Sequence, residues 1–254
     1  MGQAVRKGGR REIDRSAFRL CVLGEAAFEL RQPIEKRRGR RPHLRAVPQP
    51  ASGPLGAPVL TPEDPARVEQ LAWNALREGD TPTAHRLVGR LGPHGASPYL
   101  RAATALATGS ADAFELFEAA YAAHPGGPPN LVATDLLARA GAANAVAQRL
   151  VARADGSGRE GAATLQTHLH YGDHYRAAAE VGETVYAAGP PSRAQTAFEV
   201  ACSWARAGEV EQAVTWLGQA ADQGFRAASV VDGEPDLAVV RSDPRWPVLR
   251  ARLT

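Results

Sequence analysis

Along residues 61–225, apolar stretches rich in alanine and leucine alternate with short polar turns that contain glycine or proline. Alanine-rich sequence favours helices, and β-branched runs of strand length are nearly absent. The fold class is therefore predicted to be all-α. The stretches predict five consecutive helix pairs: 64–77 with 81–91, 97–108 with 111–123, 130–140 with 143–154, 160–171 with 174–187, and 192–207 with 210–223.

A glycine recurs at the turn inside each predicted pair, usually followed by a small or acidic residue. The five glycines, with spacings of 30, 32, 31 and 36 residues, are Gly79, Gly109, Gly141, Gly172 and Gly208. A period in this range is typical of stacked helix pairs, because a single pair cannot bury its apolar face alone. The pattern therefore predicts an α-solenoid of about five helix pairs.

Small and bulky residues stand at fixed distances after these glycines. The alanines that follow by four or five residues are Ala84, Ala113, Ala177 and Ala213, with Val146 in the third pair. Four residues further on stand Val88, Phe117, Val181 and Leu217. This order resembles the tetratricopeptide repeat (TPR), most clearly over residues 197–221, and the resemblance covers 64–225. It implies a concave groove that holds a peptide or a partner protein, and hence an interaction scaffold.

The last part of the chain, residues 226–254, resembles a C-terminal element that follows the last repeat in bacterial proteins of this family. The resemblance rests on Glu234-Pro235-Asp236-Leu237, followed by Arg241-x-Asp243-Pro244-Arg245 and the aromatic Trp246. The last helix pair of a solenoid has an apolar face without a neighbour. Residues 226–254 are therefore predicted to cap that face, through Leu237, Val240, Trp246 and Leu249.

Charge separates the beginning of the chain from the rest. Residues 1–50 hold 13 of the 30 Lys and Arg but only five of the 27 Asp and Glu, a net charge of +8 against −5 for the remainder. A proline-rich linker follows, so residues 1–60 are predicted to be a basic, largely disordered arm with a short amphipathic helix near 12–31. A second functional hypothesis follows: residues 1–45 bind nucleic acid or an anionic membrane surface.

Basic residues precede four of the five turn glycines by two positions. In TPR proteins this position faces the groove, so the resemblance predicts a surface for an acidic or C-terminal peptide, formed by Arg77, Arg139, His170 and Arg206. The negative end of the helix dipole also favours a cation there in any helix. Counting back in helical turns adds Trp73 and Phe198 as apolar anchors, although both also suit a core.

Three histidines lie close together at the fourth turn. His168, His170 and His174 form a third hypothesis, a zinc-dependent hydrolase, because imidazole is a common zinc ligand. Against it, helical geometry directs His168 and His170 about 200° apart. Cys202 and Ser203 lie inside a predicted helix without a partner base. No catalytic residue, metal or cofactor is therefore expected, and the protein is predicted not to be an enzyme.

Two cysteines, Cys21 and Cys202, have no metal-binding spacing and are expected to be reduced thiols. The chain contains no apolar stretch of 18 uncharged residues and no convincing secretory signal. A cytoplasmic location is therefore expected. One variant of the first hypothesis stays open, in which the repeats belong to a larger membrane or signalling system.

Overall fold

The computed structural model describes residues 64–126 and 130–254. Within these two ranges the chain is all-helical and contains no strand. The first ten helices are α1 (Pro65–Glu78), α2 (Thr81–Gly95), α3 (Pro98–Ala107), α4 (Ala113–Ala123), α5 (Leu131–Arg139), α6 (Ala143–Val151), α7 (Ser157–Tyr171), α8 (Tyr175–Ala187), α9 (Arg193–Arg206) and α10 (Val210–Asp222). The predicted arm of residues 1–60 lies outside the described residues, as do the linker prolines and Cys21.

All ten predicted helices of the repeat region are confirmed, and local capping explains where several begin. Asp64 accepts a hydrogen bond from the backbone of Ala66, and the proline at position 65 suits the first helical turn. Four other helices have side-chain caps of the same kind, formed by Asp80, Ser97, Asn130 and Ser192. These capping side chains accept hydrogen bonds from backbone N–H groups, which have no acceptor within the helix at its first turn.

Three helix ends differ from the prediction by three or more residues, and one of them is the end of α6, at Val151 where residue 154 was predicted. The helical segment α2 continues past residue 91 to Gly95, but Gly92 has φ 70° and breaks the helix just before Pro93. The fourth pair begins at Ser157, three residues earlier than predicted, and Gly158 and Gly161 lie in its first turns. A Cβ on Gly158 would come within 1.7 Å of the carbonyl oxygen of Leu150, so only glycine permits this approach of α7 to the end of α6.

The helices from α1 to α10 pack on their neighbours in order, an arrangement compatible with an α-solenoid. The packing is weak around the third pair, because α5 and α6 have only nine residues each, make little contact with each other, and α5 does not pack closely on α4 either. Helix α7 packs directly on α4 instead. At that crossing a Cβ on Gly161 would meet the carbonyl oxygen of Tyr121 at 2.8 Å.

The turn of the fourth pair is shifted by one residue. In the other four pairs the turn glycine has a positive φ, between 63° and 83°. In the fourth pair Gly172 has φ −81° and Asp173 takes the left-handed conformation, with φ 65°. The buried alanine five residues later is accordingly Ala178, where the sequence pattern predicts Ala177.

The apolar core consists of two clusters of buried side chains. The first extends from α1 to α8 and includes Leu100, Phe117, Tyr121 and Leu165. The second begins on α8 and continues through α9 and α10 into the last thirty residues. Alanine and leucine supply most of both clusters, in keeping with the alanine-rich sequence.

The final segment packs on α9 and α10. It consists of α11 (Ala228–Gly233), a 3₁₀ turn (Pro235–Leu237), α12 (Ala238–Arg241) and α13 (Trp246–Ala251). Its fully or almost fully buried side chains include Val231, Leu237, Val240, Leu249 and Leu253, and Trp246 is half-buried. Arg245 also donates to both carboxylate oxygens of Glu211 on α10, at 2.8 Å each.

Candidate functional site

Two of the four basic residues predicted for the groove, Arg77 and Arg139, line the same cavity. It has a volume of about 420 Å³ and lies between the end of α1 and helix α5. Its apolar lining consists of Leu76, Leu131, Val132 and Leu136, and the side chain of Leu131 is half-exposed. We call this space the α1–α5 cavity. Besides the two arginines and the apolar groups, the carboxylates of Glu78 and Asp135 line it, and these side chains come from two stretches distant in sequence.

The two arginines of the α1–α5 cavity have different neighbours. Nε of Arg139 donates to Oδ1 of Asp135 at 2.9 Å, one helical turn away, and the Arg139 side chain is 76% exposed. Nη1 of Arg77 donates to the amide oxygen of Asn74 at 2.9 Å. Because Asn74 is neutral, this hydrogen bond does not offset the positive charge of the guanidinium. Exposed ion pairs such as that of Arg139 with Asp135 are weak, so an incoming carboxylate can compete with Asp135 for Arg139.

Asp135 connects the α1–α5 cavity to a second one. Its Oδ1 also lies 3.3 Å from Nε2 of His174, a half-buried side chain at the start of α8. His174 lines a neighbouring cavity of about 440 Å³ together with Asn144, Arg176 and Glu180. One carboxylate oxygen therefore contacts both an arginine one turn further along α5 and a histidine at the start of α8.

His170 and Arg206, the other two predicted groove cations, meet at a different place. Both contact the carboxylate of Asp236, in the 3₁₀ turn of the final segment. Nε2 of His170 lies 2.9 Å from Oδ2, and Nε of Arg206 lies 3.6 Å from Oδ1. The guanidinium of Arg206 also stacks over the ring of Tyr175, 4.6 Å from its centroid. A carboxylate of the same chain thus already contacts both cations.

His170 further connects Asp236 to a serine. Its Nδ1 lies 3.0 Å from Oγ of Ser203, so the expectation that Ser203 has no partner base is wrong. The order serine, histidine, aspartate is that of a hydrolase triad. The serine, however, is 1% exposed, and its Oγ bonds to the carbonyl oxygen of Glu199 at 3.0 Å. A nucleophile must reach its substrate, so this chain of hydrogen bonds fixes the orientation of His170 instead.

Acidic side chains surround this hydrogen-bond chain. Burial raises the pKa of Glu199 above its usual range, while a hydrogen bond from Gln195 and the nearby His170 act in the opposite direction. Burial likewise raises the pKa of Glu234, two residues before Asp236. The pKa of Tyr171 is raised by burial and by these carboxylates. This part of the molecule therefore opposes additional negative charge.

The two predicted apolar anchors both pack in the core. Trp73 is half-buried and packs against the first core cluster. Phe198 is 5% exposed, and its ring stacks on Phe225 with centroids 4.7 Å apart and an interplanar angle of 11°. Neither ring lines the α1–α5 cavity. The apolar side chains that do line it come chiefly from α5, which the counting of helical turns missed.

The three clustered histidines point to three different partners. His168 is buried, and its Nδ1 lies 3.4 Å from the hydroxyl of Tyr121 on α4. His170 faces Ser203 and Asp236, and His174 faces Asp135. Within residues 64–126 and 130–254, no three His, Cys, Asp or Glu side chains are grouped so that they could hold a metal ion.

Comparisons with known proteins return nothing similar: no family model, no curated protein and no solved structure matches this chain. Among the described residues, none of the helices combines the length and the apolar character that crossing a membrane requires.

Proposed function

We propose that this protein is an interaction scaffold that binds an acidic segment of a partner protein in the α1–α5 cavity. The observation that carries the proposal is the presence of Arg77 and Arg139 in one cavity beside the apolar side chains of Leu76, Leu131, Val132 and Leu136, with Glu78 and Asp135 as the other charged lining residues. The two arginines belong to helices that are not consecutive. Their side chains line the same cavity, and each arginine stands two residues before a turn glycine in the sequence.

The chemistry of the cavity selects the ligand class. An arginine guanidinium recognises a carboxylate through two parallel hydrogen bonds, and this geometry makes it the preferred side chain for such recognition. The adjacent Leu131, Val132 and Leu136 offer an apolar surface to a neighbouring side chain. A segment with Asp or Glu next to Leu, Ile or Phe satisfies both requirements. Apolar anchors beside a charge pair are typical of interfaces whose affinity resides in a few residues.

We further infer that the helix pairs are TPR-like repeats. The pattern residues Ala84, Ala113 and Ala213 are almost fully buried, as are Phe117 and Leu217. Small residues let the helices of a pair approach, and the larger ones fill the space between pairs. This burial supports an architecture of stacked, repeated helix pairs.

The proposal is tested with the full chain and a defined set of fluorescein-labelled peptides. Each peptide carries Leu or Phe beside Asp or Glu at varied spacing, and each has a match with Asn and Gln in place of the acids. We expect fluorescence anisotropy to show binding of acidic peptides that their amide matches lack. In the double variant Arg77→Glu with Arg139→Glu, this binding is expected to fall by about tenfold or more.

Arg90→Glu provides the matched control, because Arg90 is an exposed arginine of α2 that does not line the cavity. This control is expected to bind as the wild type does. If acidic and amide peptides bind alike, or if the double charge reversal leaves the affinity unchanged, the α1–α5 cavity is not the binding site and the proposal fails.

A second candidate function is the binding of nucleic acid or an anionic membrane through residues 1–45. The observation that favours it is the excess of Lys and Arg in this segment, 13 of the 30 in the chain against five of the 27 Asp and Glu. Such binding is electrostatic, depends strongly on salt and requires no preformed cavity. The two functions use different parts of the chain and are separable by substitution.

A further inference from the structure

We propose that protonation of His174 strengthens the binding of an acidic segment in the α1–α5 cavity, with Asp135 as the connecting group. This inference rests on the proposed function, since it concerns the charge of the same cavity. It adds a regulatory input, pH, and assigns a positioning role to two residues that the groove pattern of basic residues does not include.

The geometry behind the proposal is the sharing of a single oxygen atom. Oδ1 of Asp135 lies 2.9 Å from Nε of Arg139 and 3.3 Å from Nε2 of His174. The side chains of Asp135 and His174 are 33% and 24% exposed, so both are shielded more than Arg139, which is 76% exposed. Arg139 is thus the member of the trio that a ligand reaches first.

The sign of the effect follows from the charges. With a neutral imidazole, Asp135 and Arg139 cancel each other, and the trio has no net charge. A protonated His174 pairs with Asp135 and leaves the charge of Arg139 for the ligand, so the trio carries +1. Histidine is the side chain that changes charge between about pH 5 and 8. Binding of an acidic segment is therefore stronger at the lower end of this range.

Other charged groups near the imidazole do not reverse this sign. Asp173 and Arg176 flank His174 on its own segment, and Glu180 lines the same cavity from α8. From α5 come Asp135 and Arg139, and α6 contributes the neutral Asn144. Among these side-chain types, histidine is the one that ordinarily changes charge between about pH 5 and 8.

Two measurements on the full chain test the inference, and the first needs no ligand. The Nε–H resonance of Arg139 is followed by ¹⁵N NMR from pH 8 to 5.5. In the wild type it is expected to shift together with the ring protons of His174, and in His174→Gln it is expected to stay constant. His85→Gln is the matched control, because His85 is exposed on α2 and its removal is expected to leave the shift of Arg139 unchanged.

The second measurement uses the tightest acidic peptide of the labelled set. Its affinity for the wild type is expected to be about fivefold higher at pH 5.5 than at pH 8. One added positive charge close to a carboxylate has an effect of this order in a partly solvated site. Its affinity for His174→Gln is expected to vary less with pH. Asp135→Asn is expected to bind at pH 8 at least as tightly as the wild type does at pH 5.5.

The outcomes separate the two proposals. If the peptide binds through Arg77 and Arg139 but wild type and His174→Gln show the same pH dependence, the regulatory inference is overturned and the proposed function stands. If Arg139 does not respond to His174 in the ligand-free spectra, the inference is overturned as well. If no acidic peptide depends on Arg77 and Arg139, the proposed function itself fails, whatever the spectra show.

Discussion

Nε2 of His170 and Oδ2 of Asp236 lie 2.9 Å apart, although 66 residues separate them in the chain. The contact joins the end of α7 to the 3₁₀ turn of the final segment, which follows α8, α9 and α10 in the chain. Because Nδ1 of the same imidazole contacts Ser203 on α9, three parts of the molecule meet at one side chain. His170, predicted as a groove cation, is a structural connection between the helix pairs and the C-terminal residues.

This connection predicts a loss of stability when the carboxylate is removed. Asp236→Asn leaves His170 and Arg206 without the charge that both contact, and the free energy of unfolding is expected to fall by about 1–3 kcal/mol. Urea unfolding followed by circular dichroism measures the change. Asp222→Asn is the control, because Asp222 pairs with Arg252 at an exposed position and is expected to change stability by less than about 0.5 kcal/mol. Equal effects of the two variants would contradict a structural role for the His170–Asp236 contact.

The raised pKa of Glu199, a half-buried residue of α9, predicts a stability change that depends on pH. Its pKa in the folded state is raised above the ordinary value of 4.5, so folding favours the protonated form. The penalty for ionisation is absent below pH 4.5 and grows as the pH rises through the folded pKa. Glu199→Gln keeps an oxygen that can accept the hydrogen bond from Gln195. We expect this variant to melt at a higher temperature than the wild type at pH 7, and at the same temperature at pH 4.

The measurement is differential scanning calorimetry at both pH values. Glu180→Gln, at an exposed position of α8, is expected to leave the melting temperature unchanged at either pH. A stabilisation by Glu199→Gln that is equally large at pH 4 and pH 7 would show that ionisation is not its cause.

Helix pairs and their turns were predictable from the sequence because their causes are local. A capping side chain, a proline in the first turn and a glycine at the end of a helix act within a few residues. The Arg77 and Arg139 positions followed from the same local register. The charge and spacing of these residues therefore sufficed to name two side chains that line one cavity.

Contacts across the fold were not predictable, because they depend on how the helices cross. Asp236 is one example, since nothing near it in sequence indicates His170. Gly182 is another: it stands where the shifted register of the fourth pair places the bulky residue, and α7 and α9 fill the space. A Cβ there would lie 2.6 Å from Nε2 of Gln166 and 2.5 Å from Cγ2 of Val200. The repeat register counted from Gly172 does not reveal that Asp173, one residue later, adopts the left-handed conformation of the turn.

The turn glycine Gly208 and the helical glycine Gly218 predict opposite effects for the same substitution, Gly to Ala. Gly208 has φ 83°, a conformation that L-residues adopt at a cost, so Gly208→Ala is expected to lower the free energy of unfolding by about 1 kcal/mol. Gly218 lies inside α10, and an added Cβ would meet Nη1 of Arg252 at an ordinary 3.6 Å. Gly218→Ala is expected to stabilise by about 0.5–1 kcal/mol, because alanine favours helix. Denaturant unfolding compares them, and destabilisation by both would refute the turn assignment as the cause.

The basic segment predicts a chromatographic behaviour that distinguishes the two candidate functions. Without residues 1–45 the chain carries a net charge of −5, so the truncated protein is expected to pass through a heparin column that retains the full chain. In the full chain, changing Arg37, Arg38, Arg40 and Arg41 to Gln is expected to lower the salt concentration needed for elution. The Arg77→Glu, Arg139→Glu variant serves as the control and is expected to elute close to the wild type. If the truncated protein is retained as strongly as the full chain, its arginines in the helical region bind the polyanion, and residues 1–45 have no special role in that binding.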